Sequence, residues 1–74
     1  MKVKVLKTLH SPLSSAEICR RNGWRRGSRI VGVEDQRATT IRITAVGDDY
    51  ILAIADDSGH EGEWNLTCRN WRHA

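Results

Sequence analysis

The stretch CRRNGWRRGSR, residues 19–29, holds five arginines, a tryptophan and two glycines in eleven positions. Arginine carries a planar, permanently charged fork that matches phosphate and carboxylate oxygens and stacks on aromatic rings. Such a cluster beside an exposed ring can hold a nucleic-acid backbone and stack a base. It can equally meet an acidic protein. Arg20, Arg21, Trp24, Arg25, Arg26 and Arg29 are therefore the first candidates for partner binding. Arg69, Trp71 and Arg72 can extend the patch from the C-terminus, and Lys2, Lys4 and Lys7 from the N-terminus.

Other chemistry finds little support. His10, His60 and His73 fall in no nucleophile–base pattern, and Ser11, Ser14, Ser15 and Ser58 sit where turns and caps use serine. There is no C-x-x-C, P-loop or G-x-G-x-x-G. DDSGHEGE (56–63) gathers four acids, a histidine and two glycines, but it does not match a calcium-loop pattern. It reads as a solvated loop, or as part of an acidic face with Glu34, Asp35, Asp48 and Asp49. Cys19 and Cys68 match no zinc spacing and read as buried thiols. The expectation is a non-enzymatic protein with no metal or cofactor.

The elements that must position the arginines are legible in part. Ser14 with Glu17 three residues later reads as a capping box. Gly23 sits where a left-handed residue ends a helix, with Trp24 placed to fold back on Cys19. Arg20 and Arg21 fall in the last turn, where positive charge complements the helix dipole. A two-turn helix over 15–22 follows, too short to persist unless it packs on something.

After Gly27 the pattern becomes period two. SRIVGV (28–33) is a strand, and TTIRITAV (39–46) alternates Ile41, Ile43 and Ala45 against Thr40, Arg42 and Thr44. Gly47-Asp48-Asp49 turns into YILAIA (50–55), apolar on both faces and so expected to be central. EWNLTC (63–68) alternates Trp64, Leu66 and Cys68, and RNWRHA reads as a closing helical turn. KVKVLK near the start reads as an edge strand or flexible arm over 1–10. Too few residues separate the strands for parallel crossovers. The expected fold is mainly β (α+β): one short N-terminal helix and a small, strongly bent antiparallel sheet over 28–68. An SH3-like or OB-like partial barrel fits, in a single domain over 1–74.

Composition sets the bounds. The chain has 74 residues, 39% hydrophobic, with no Phe and a formal net charge of +3. That is enough apolar content for one small core. The charge is uneven: residues 1–33 carry +7, residues 34–65 carry −6 and the last nine +2. Two surface patches of opposite sign are expected. No stretch resembles a signal peptide or a membrane span, so the expected location is cytoplasmic.

Three stretches, AEICRRNGWRRGSRIVG, TTIRITAVGDDYILA and EGEWNLTCRNW, resemble a group of small proteins of no assigned activity encoded by tailed phages and prophages. The resemblance covers roughly residues 15–72. It rests on the Cys19-x-x-Asn22-Gly23-Trp24 helix ending, the Ile-Thr-Ala-Val-Gly hairpin approach and the Glu63-Trp64…Cys68-Arg69-x-Trp71 ending. It carries over no catalytic residues. It implies a phage or prophage setting inside a host cell, where small proteins act by binding. The leading expectation is thus a binding module that engages a host or phage macromolecule through a charge-divided surface. One alternative is a nucleic-acid-binding barrel using the Arg20–Arg29 cluster. Another is a structural homo-oligomer in which KVKVLK pairs edge to edge.

Overall fold

A computed structural model describes residues 13–74. The strand or arm expected over 1–10, with Lys2, Lys4 and Lys7, lies outside them. The element order is α1 (Ser15–Asn22), β1 (Arg29–Glu34), β2 (Arg37–Val46), β3 (Ile51–Ala55), β4 (Glu61–Trp64) and β5 (Asn70–His73).

Helix α1 begins and ends where its caps dictate. Ser14 is extended, and its Oγ accepts the Glu17 N–H at 3.1 Å. Only this half of the expected capping box is seen. The Glu17 carboxylate turns outward instead, pairing with Arg20 Nε at 3.0 Å and Arg21 Nε at 3.2 Å. At the other end Gly23 takes φ +75°, its N–H donates to the Arg20 carbonyl, and Trp24 N–H donates to the Cys19 carbonyl at 2.8 Å. These two bonds form the Schellman ending and carry the Trp24 ring onto Cys19 and the core.

Every sheet pairing is antiparallel, in the order β4-β3-β2-β1-β5. Alternation sorts the side chains. Ile30, Ile41 and Ala55 form one inward row across β1, β2 and β3, and Ile43 with Ala53 the next. With Ala16, Cys19, Trp24, Ile51 and Leu66 they make the core. A bulge between Ile43 and Ala45 inserts Thr44 and shifts the phase, so Val46 rather than Ala45 packs on the core.

Trp64 on β4 and Trp71 on β5 show how strongly the sheet bends. Edge strands of a flat five-stranded sheet would lie about 19 Å apart. The two rings meet edge to face at a centroid distance of 6.0 Å. The sheet therefore curls until its two edges face one another across the core, although β4 and β5 are not hydrogen-bonded as neighbours.

The second half of the chain differs from the sequence expectation. The loop after β3 ends by His60, and β4 runs over Glu61–Trp64 instead of 63–68. Residues 65–69 turn because the Leu66 N–H is taken by Ser15 Oγ, at 2.9 Å in the interior. Leu66 is buried as expected, whereas Cys68 is exposed. RNWRHA forms no helical turn. It is strand β5, paired to β1 through Ile30–His73 and Gly32–Trp71, so the sheet extends to His73. Tyr50 precedes β3 and is exposed.

Candidate basic surface

The loop that carries the arginines is fixed by backbone bonds. Ser28 N–H donates to the Arg25 carbonyl at 2.8 Å, and Ser28 Oγ accepts the Arg25 N–H at 3.0 Å. Gly27, at φ +95°, donates to the Ile43 carbonyl at 2.7 Å, and Ile43 N–H returns to the Ser28 carbonyl at 2.8 Å. The turn is thus stitched to β2, and it presents Arg25 and Arg26 to solvent.

Across from it lies the end of β5. Ala74 N–H donates to the Arg29 carbonyl at 2.9 Å. The turn, Arg29, His73 and Ala74 line an open cleft of about 480 Å³. Arg29 is exposed, and Asp56 pairs with its guanidinium at 2.5 Å. Arg25 and Arg26 have no acidic partner among the described residues.

The uncovered face of the sheet adds two arginines. Arg42 on β2 is directly opposite Arg29, and Arg72 on β5 is opposite Val31. Arg29, Arg42 and Arg72 therefore share one face of three adjacent strands, away from α1. Neither Arg42 nor Arg72 has an acidic partner among the described residues. Like charges directly opposite on a sheet destabilise it, so Arg42 sits where an anion would be welcome. The same face turns acidic at β4, where Glu61 is opposite Ile54 and Glu63 opposite Leu52.

The remaining candidates have internal tasks. Arg20 ties the helix to the β2–β3 turn, donating to the Gly47 carbonyl at 3.1 Å and the Asp48 carbonyl at 3.0 Å, besides its pair with Glu17. Arg21 shares Glu17. These hydrogen bonds, first from Arg20 and then from Arg21, hold the Glu17 carboxyl below its ordinary range. Arg69 is not among the cleft residues and lies along β1 against Gly32 and Thr39. There it pairs with Glu34 at 2.8 Å and covers the Trp71 ring at 5.5 Å from the centroid. It also lines a second cleft of about 430 Å³ with Glu34, Asp35, Arg37 and Asp57.

The tryptophans are packing elements here. Trp24 is 8% exposed. Trp71 lies against the backbone of Gly32, where a β-carbon would come within 2.8 Å of its ring. Its Nε1 is buried without a partner. Cys19 is fully buried, and desolvation pushes its thiol up to about 11. An unreactive core thiol follows.

The structure thus brings Arg25, Arg26, Arg29 and Arg72 to one end of the sheet and leaves Arg20, Arg21 and Arg69 elsewhere. Sequence reasoning missed Arg42 and His73 as members of that surface. Alternation did put Arg42 on the solvent face, but only the β1–β2 register sets it beside Arg29. Among the described residues, no three His, Cys, Asp or Glu side chains gather to hold a metal ion. No described helix is long and apolar enough to cross a membrane.

The DUF7241 family, a domain of unknown function, matches residues 13–74, and the chain belongs to it. No curated protein and no solved structure matches the chain.

Proposed function

We propose that this DUF7241 domain is a non-enzymatic binding module of phage or prophage origin that holds nucleic-acid phosphates at its basic end. The scaffold is read as an SH3-like partial barrel. Its support is the four-strand meander, the return of β5 to β1 and the Trp64–Trp71 contact between the two edges.

One observation carries the functional reading. Four exposed arginines without acidic partners among the described residues, Arg25, Arg26, Arg42 and Arg72, converge on one end of the sheet around the cleft. Surface arginines are normally solvated singly or paired. A convergent unpaired set holds a standing positive potential, which attracts a polyanion. Phosphate contacts of this kind release counterions, so binding weakens steeply with salt.

The test is a fluorescence-anisotropy titration of labelled DNA and RNA at 50 and 200 mM salt. Four phosphate contacts give a slope of log affinity on log salt of about −3.6, a loss of roughly 10²-fold over that range. Arg25→Ala/Arg26→Ala should remove about 1.8 from the slope. Arg37→Ala, on the opposite hairpin, should leave it unchanged. An absence of salt-sensitive binding at 50 mM salt overturns the proposal and directs attention to an acidic protein partner.

A further inference from the structure

The identity of the polyanion can be narrowed, on the premise of phosphate binding above. We infer that the basic end takes a nucleic-acid duplex, held by its two backbones without base stacking, and discriminates against single strands.

Proteins that hold single strands without sequence preference combine a basic groove with aromatic rings on which successive bases stack. This chain has three Trp and one Tyr, and each lies within the described residues. None lines the cleft. Trp24 is buried under the helix ending. Trp64 and Trp71 pack edge to face on one another, and Trp71 is further covered by Gly32 and Arg69. Tyr50 is exposed, but it belongs to the β2–β3 turn, whose Asp49 carbonyl accepts the Ala16 N–H from the first turn of α1. A single strand laid in the cleft finds charge and, for a ring, the His73 imidazole in place of an indole or phenol.

The cations are also arranged in two dimensions. Arg72 and Arg42 stand on β5 and β2, the strands on either side of β1 and about 4.8 Å from it, so they are about 10 Å apart across the sheet, with Arg29 between them on β1 paired to Asp56. Arg25 and Arg26 stand at the end of this row. An array of that width meets two rows of phosphates, which a duplex offers on either side of a groove. A single strand offers one row and would leave part of the array unused.

The helix is not free to read base edges. Reading them takes a helix or a two-stranded ribbon inside the major groove. Helix α1 packs Ala16 and Cys19 into the core, and Arg20 ties it to the β2–β3 turn. Recognition is therefore of backbone and shape. Glu61 and Glu63 bound the surface on the β4 side, and Glu34, Asp35 and Asp57 at the far end of β1, which keeps the contact short.

The experiment compares a labelled 12-base-pair DNA duplex with 12-nucleotide mixed-sequence and oligo-dT single strands, at 50 and 200 mM salt. The duplex should bind at least about tenfold more tightly than either strand, with no dependence on its sequence. Arg42→Ala and Arg72→Ala should each reduce the duplex salt slope by about 0.9, with thermal melts confirming that both variants fold. Single strands binding as tightly as the duplex, or quenching tryptophan fluorescence through stacking, would overturn the inference while leaving phosphate binding intact. Binding of neither probe overturns the premise itself.

Discussion

Gly32 gives the sharpest test of how the sheet closes. It is in β1 opposite Trp71 on β5, and its missing side chain is where the indole rests. A β-carbon there would lie 2.7 Å from Arg69 Cδ and 2.8 Å from two ring carbons of Trp71. The arginine can swing away. The indole cannot, because β5 pairing holds its backbone and Trp64 abuts its ring. Overpacking of this kind destabilises by about 1–3 kcal/mol. Replacing Gly in a strand returns about 0.4–1 kcal/mol by restricting the unfolded chain. Gly32→Ala should therefore lose about 1–2 kcal/mol. A domain of this size has roughly 4–11 kcal/mol in total. At about 4–8 °C per kcal/mol, Tm should fall by about 4–16 °C. Gly62→Ala is the control, since Gly62 is also in a strand and a β-carbon there meets nothing within 4 Å. It should be neutral or slightly stabilising. Thermal melts and urea titrations of both variants decide the matter. A Gly32→Ala protein that melts at or above the parent would show that the Trp71 packing described here is wrong.

Other variants probe separate parts of the argument. The β1–β2 turn places Asp35 at φ +51° and Gln36 at φ +68°, a two-residue hairpin geometry that favours glycine. Gln36→Gly should raise stability by about 1 kcal/mol in urea titration, and a loss would contradict the strain. Arg20→Ala should lower stability by roughly 1 kcal/mol yet leave the salt slope of DNA binding untouched, because its bonds are internal. A changed slope would place Arg20 in the binding surface. Thiol titration at pH 8 should find one fast cysteine, Cys68, and one that reacts only through unfolding, Cys19. The Cys19 thiol is raised in the folded state, so above its unfolded value near 9 the unfolded chain loses a proton that the folded chain keeps. Stability should fall as pH rises from about 9 to about 11. That fall should be shallower in Cys19→Ala.

The sequence announced what local chemistry governs. Ser14, Gly23 and Trp24 marked both ends of α1 within a few residues of one another, and the helix occupies the expected span. The first three strands were legible because Ile30, Ile41, Ile43 and Ala53 alternate with polar or half-buried neighbours. The last two were not. Trp64-Asn65-Leu66 alternates as a strand would, yet Ser15, 51 residues earlier, captures the Leu66 amide and bends the chain. RNWRHA has no period of its own, and its pairing partner is supplied by Gly32 and Ile30 from far upstream. The surface divides in the same manner. That arginines crowd residues 20–29 is plain from composition. Which of them are spoken for depends on the Gly47 and Asp48 carbonyls and on Asp56, all brought in by tertiary contact.

The return of β5 to β1 also makes the cleft depend on that strand pairing. Its far wall, His73 and Ala74, is carried by β5, an edge strand of the sheet paired with β1. An edge strand held by one neighbour can open locally, at a free energy below that of global unfolding. Each such opening would remove one side of the cleft and carry Arg72 away from Arg29. Occupancy and closure of the last strand are then one equilibrium. A bound polyanion would slow amide exchange along β5 more than along β2 or β3.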